Sequence, residues 1–156
     1  MRKVLLEAGL IEEHRINLYL PGKHIKIAKP TAAGYELLDR KKIAYQTPQG
    51  NGSVAHQWWQ DRLSKKLAKD GWKTEIEQSL GSKRVDVGAV NDLGMKVAYE
   101  ILVEGLQKEV NNLRDLEDGW HQVVYCVDSD ETRQELKALL PKGMQNVEIR
   151  LLKEFV

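Results

Sequence analysis

Two carboxylates, Asp86 and Glu100, stand on segments that alternate like strands: residues 83–90 (KRVDVGAV) and 95–103 (MKVAYEILV), joined by the turn Asn91-Asp92-Leu93-Gly94. Neighbouring strands of a hairpin can present two such side chains on one face, within reach of one divalent cation. Cleaving a phosphodiester requires neutralising charge at an anionic phosphorus and making a water nucleophilic, and Mg2+ held by a few oxygens supplies both. Asp86 and Glu100 are therefore the candidate metal ligands and catalytic acids. Strand periodicity places Lys96, Ala98, Glu100 and Leu102 on one face. An ionised Glu with apolar neighbours on either side calls for a cation, a metal or hydrogen bonds. The plainer reading of the same two acids is a set of salt bridges to Lys83, Arg84 or Lys96.

The elements that must position this pair follow from the flanking pattern. The stretch YQTPQGNGS, residues 45–53, is rich in Gly, Pro and polar residues and divides the chain into segments 1–48 and 49–156. After it, Ser53 caps a helix running to about residue 70, with Ala55, Trp59, Leu63 and Leu67 as its apolar stripe. Arg62, Lys65, Lys66 and Lys69 form a basic stripe on the same helix, suited to sequence-independent phosphate contacts, or simply to a solvated face. Trp58 is the exposed aromatic that could stack on a base, while the spacing of Trp59 marks it as core. Residues 72–79, 83–90 and 95–103 read as three strands, and 105–118 as a helix. Residues 121–127 are nearly continuously apolar, as in a central strand buried on both faces. Ser129 or Asp130 caps a helix ending before Pro141, and 147–152 form a last strand.

The first segment reads as a short helix over 2–8, a hairpin with alternating strands near 14–20 and 24–28 around Pro21-Gly22, and a helix capped by Thr31. It is too short to bury a substantial core alone.

The chain has 156 residues, of which 42% are apolar, with a net charge of +1. This suits one domain, or one domain with a small appendage. The balance hides an asymmetry: residues 1–50 hold nine Lys/Arg against five Asp/Glu, and the rest is net acidic. A basic front half is compatible with nucleic-acid contact. The single cysteine, Cys126, excludes a disulfide framework, and in VVYCV it reads as a small hydrophobe. No stretch approaches a membrane span and no signal-peptide pattern opens the chain, so the expectation is a cytoplasmic protein. A phosphate-binding glycine loop is absent, so any use of ATP would belong to a partner.

The order α-β-β-β-α-β, with an Asp on the second strand and a Glu on the third, resembles the core of the PD-(D/E)XK, or restriction-endonuclease-like, superfamily over residues 53–152. The resemblance implies an α/β fold with a mixed central sheet, Mg2+ or Mn2+ bound by Asp86 and Glu100, and nucleic acid, DNA above all, as the partner. It departs from the superfamily pattern at Val85, where a Pro is expected, and at Leu102, where a Lys normally assists the attacking water. Some branches take that lysine from the following helix, which makes Lys108 the candidate, with Gln107 and Glu104 beside it. His56 falls early in the first helix, where related nucleases place a metal-assisting acid; packing against Trp59 is its other reading. The wing-like hairpin followed by Pro-Thr-Ala-Ala-Gly-Tyr-Glu-Leu-Leu resembles the end of a winged-helix domain over residues 9–40, without its recognition helix. An extension that packs on the main domain or dimerises it is the alternative. The functions implied are a metal-dependent nuclease linked to mobile elements, replication or repair, or a catalytically inactive module for DNA binding or assembly. A homodimer or a larger ATPase or mobile-element machine would be its setting.

Overall fold

The computed structural model describes residues 1–47, 50–80, 83–103, 106 and 119–156. The chain divides into two units, Met1–Pro48 and Gln49–Val156.

In the first unit, α1 (Arg2–Glu7) leads into an antiparallel hairpin, β1 (Ile11–Leu20) and β2 (Lys23–Pro30), followed by α2 (Ala32–Arg40). The hairpin is longer than its apolar alternation suggests. Its base sets Glu12 opposite Lys29 and Glu13 opposite Ala28, so the ladder continues where the alternating hydrophobic signal in β1 has stopped. Thr31 fastens the second helix: its Oγ1 accepts from Gly34 N at 3.2 Å and donates to Gly9 O at 2.7 Å. Gly34 is required there, because a Cβ would lie 2.1 Å from the Leu10 carbonyl oxygen.

The second unit opens with α3 (Val54–Lys69), whose N-cap Ser53 accepts from His56 N, as its sequence predicts. A five-stranded sheet follows in the order β3-β4-β5-β6-β7: β3 (Lys73–Leu80), β4 (Lys83–Val90), β5 (Lys96–Leu102), β6 (Gln122–Val127) and β7 (Val147–Leu151). β4 runs antiparallel to both of its neighbours, β3 and β5, and β5, β6 and β7 run parallel. Helix α4 (Asp130–Leu139) crosses from β6 to β7, and a 3-10 turn, Leu152–Phe155, ends the chain. The helix expected over 105–118, with Lys108 and Gln107, and Glu104 just before it, lies outside the described residues. Only Leu106 of that stretch is described, and it packs on the core.

The sheet is covered on two faces. Ala98, Leu102, Val123, Tyr125 and Val127 pack with Trp120, Leu136 and Leu151 on one. Trp59, Leu63 and Leu67 of α3 are buried on the other, where Arg62 Nε reaches the Phe155 carbonyl and Phe155 meets Tyr99 edge-on. Strands β5 and β6 are buried almost throughout, which accounts for their nearly unbroken apolar sequence. The second unit is thus a mixed α/β sheet with helix α3 on one face and helix α4 on the other.

Candidate functional site

The site forms where the start of α3 meets the middle of the β3/β4 hairpin. His56 and Gln60 lie four residues apart on α3 and therefore share a helix face. On the hairpin, the register places Glu77 across from Asp86, between the paired positions Ile76–Val87 and Gln78–Val85. Glu77 itself has a φ of +57°, left-handed backbone that a side chain adopts at a cost of about 1–2 kcal/mol. The regular ladder omits this one rung, and the two carboxylates occupy the gap.

Asp86 is held at both oxygens. Its Oδ1 accepts from His56 Nε2 at 2.9 Å and from Gln60 Nε2 at 3.2 Å. Its Oδ2 accepts from the Ile101 backbone N–H at 2.7 Å. The β4/β5 ladder ends at Val87–Tyr99, so the Asp86 side chain serves an amide that β5 would otherwise leave unmatched at that point. Val85 packs in the Trp120 cluster, and a Cβ on Gly88 would meet the Trp120 ring at 2.9 Å. Two residues three apart thus face the same side, alternation breaks between them, and Asp86 turns to α3.

Glu77 Oε1 accepts from Asn51 N at 3.0 Å and from Gln60 Nε2 at 2.7 Å, and Oε2 pairs with Arg84 Nε at 2.7 Å. Burial pushes its carboxyl up, but the Asn51 N–H, the Gln60 amide and the Arg84 guanidinium outweigh it, so the pKa is lowered. Gly50 packs against this cluster, since a Cβ there would lie 2.1 Å from Gln60 Oε1. Ligand atoms of His56, Glu77 and Asp86 all fall within 4.8 Å of one another. One imidazole and two carboxylates at that separation could together hold a divalent cation.

The sequence-predicted residues distribute as follows. Asp86 lies at the centre of the cluster, and His56 joins it. Glu100 is 9% exposed and pairs in register with Tyr125, between Ala98 and Leu102 on β5, and it belongs to no group of three metal-ligating residues among the described ones. Leu102 is buried in the Trp120 cluster. Lys108 lies outside the described residues. Along the basic stripe, Lys65 pairs with Asp61 at 2.7 Å, Lys66 with Asp70 at 2.9 Å, and Arg62 with the Phe155 carbonyl, while Lys69 is exposed. Trp58 is half-buried, its ring edge-on to Trp59 at 4.8 Å between centroids.

Sequence reasoning missed Gln60 and Glu77. Gln60 is a polar residue one position beyond Trp59 and fully buried, and its i+4 relation to His56 was a usable signal. Glu77 was hidden because its position depends on the hairpin register and on a backbone conformation that propensity disfavours.

No family model matches the chain, and no curated protein matches it in sequence. Among solved structures it is similar to a repair endonuclease from Pyrococcus abyssi, at 15% identity and a TM-score of 0.37, over 67% of this chain and 49% of that one. The chain thus spans about half the length of that protein. Similarity at this level assigns no residue and no reaction to this chain. No helix among the described residues is long and apolar enough to cross a membrane.

Proposed function

We propose that this chain is a metal-dependent nuclease-like protein acting on DNA, with a divalent cation held at Asp86. The observation that carries the reading is the environment of Asp86: a carboxylate fixed at Oδ2 by a backbone N–H and flanked at Oδ1 by His56, with a second carboxylate, Glu77, within ligand distance. The donor chemistry fits a cation, because two carboxylates this close repel each other unless positive charge or N–H donors lie between them. A bound Mg2+ or Mn2+ would supply charge neutralisation at the phosphate and an activated water. The chain's own residues supply position. The Ile101 N–H orients the Asp86 carboxylate, and Arg84 and the Asn51 N–H orient Glu77. Glu100 lies one residue before that N–H but on the Ala98–Leu102 face of β5, outside the proposed cation shell, and Lys108 enters as the cation in place of the lysine that Leu102 displaces. Arg62, Lys65, Lys66, Lys69 and Trp58 are the proposed DNA contacts along α3.

A second reading is favoured by Leu102: a buried leucine where the reaction normally draws on a lysine suits a catalytically inactive module that binds DNA or assembles with other proteins. Incubation with single- and double-stranded DNA and Mn2+ or Mg2+, beside Asp86→Asn, Glu100→Gln and Lys108→Ala, separates the two. The nuclease reading expects cleavage by the wild type and loss of it in Asp86→Asn. Absent cleavage with DNA still retained supports the inactive module, and equal cleavage by all four proteins defeats the proposed site.

A further inference from the structure

We infer that His56, Gln60, Glu77 and Asp86 together form a mixed nitrogen–oxygen cation site that selects borderline first-row ions such as Co2+ and Zn2+ over Mg2+ and Ca2+. This deepens the metal-dependent reading and rests on it for its biological role, but it concerns binding alone.

Gln60 is the observation that points to a ligand. Its side chain is fully buried, and its single amide nitrogen donates to both carboxylates, Glu77 Oε1 at 2.7 Å and Asp86 Oδ1 at 3.2 Å. The nitrogen thus holds the place of positive charge between two anions. The other end of the same amide, Oε1, is buried with no hydrogen-bond partner among the described residues. Buried carbonyl oxygens are rarely left that way. A half-turn of the terminal amide exchanges the two atoms and brings a carbonyl oxygen to the carboxylates. That arrangement is repulsive unless a cation joins them, and with a cation it completes a donor set of one imidazole nitrogen and three oxygens.

The imidazole decides which cation. Mg2+ and Ca2+ are hard ions that favour oxygen, and Mg2+ gives up its waters reluctantly. Imidazole suits Zn2+ and its first-row neighbours. His56 Nε2 faces Asp86 Oδ1 at 2.9 Å, and its ring packs over Gly52, where a Cβ would lie 3.2 Å away. The ring is therefore held with Nε2 turned into the cluster. Arg84 lies on the outer side of Glu77, paired with Oε2, and limits the excess negative charge on which a hard ion depends.

The test uses the full chain after chelation, titrated with Co2+ (visible absorption) and with Zn2+ and Mg2+ (calorimetry), without nucleic acid. We expect Zn2+ and Co2+ to bind at least about 100-fold more tightly than Mg2+, and His56→Asn to reduce that preference to within about tenfold. Gln60→Glu, which keeps the oxygen, should retain or tighten binding; Gln60→Leu should weaken it by about tenfold or more. Equal affinity for Zn2+ and Mg2+, or an unchanged preference in His56→Asn, overturns the site. Should Gln60→Leu not fold, weaker binding in Gln60→Glu overturns the role of the amide oxygen. Tight Zn2+ binding without DNA cleavage would sink the nuclease reading alone. Mg2+-supported cleavage indifferent to His56→Asn would sink this inference alone.

Discussion

Glu77 offers a test of whether the backbone at the site is held in strain. At a φ of +57° its conformation costs about 1–2 kcal/mol for any residue with a Cβ, and almost nothing for glycine. Glu77→Ala keeps that cost and removes the acceptor for the Asn51 N–H, the Gln60 amide and Arg84. Hydrogen bonds to a charged group contribute about 1.5–3 kcal/mol each when well shielded, and partial exposure and relief of repulsion with Asp86 reduce the total. A loss of about 2–4 kcal/mol is expected for Ala. Glu77→Gly suffers the same polar loss and recovers the strain, so it should be more stable than Ala by about 1 kcal/mol. This inverts the usual order within a strand, where Gly is the poorer residue by about 0.5–1 kcal/mol. Urea unfolding followed by Trp fluorescence measures the difference, with equal slopes for the two variants and a gap of about 2–4 °C in melting temperature. An Ala variant equal to or more stable than the Gly variant would refute the strain and, with it, the account of how Glu77 comes to face Asp86.

Two further outcomes follow from buried or coupled groups. Burial pushes the Cys126 thiol well above its ordinary pKa, so native protein at mildly alkaline pH should resist alkylation that goes to completion in denaturant; fast native labelling would contradict the core position. Burial raises the Glu154 carboxyl, but the Leu151 N–H and Arg150 lower it further, giving a net depressed pKa. Its contribution to stability is therefore complete above the unfolded carboxylate pKa of about 4.3 and is lost as the pH falls through the lower folded value. Glu154→Gln should cost stability at neutral pH and progressively less in acid, whereas a deficit independent of pH would contradict this.

The sequence by itself determined the elements whose signals are local. Ser53, Thr31 and Ser129 cap helices where their hydroxyls meet free backbone N–H groups, and the unbroken apolar run in β6 announces a strand buried on both faces. It also singled out Asp86, because two acids on neighbouring strands of a hairpin can share one cation. The tertiary structure alone decided who its partners are. Strict alternation points Asp86 toward the face of Glu100, but the β4/β5 ladder stops at Val87–Tyr99 and a side chain then takes over the Ile101 amide. Glu77 reaches the cluster through a hairpin register and a left-handed residue, and Gln60 through a helix packed across both strands. The hydrogen bonds of the cluster join residues 15 to 30 positions apart. Periodicity reports only which face a side chain would occupy in a regular element, and this site lies where the elements cease to be regular.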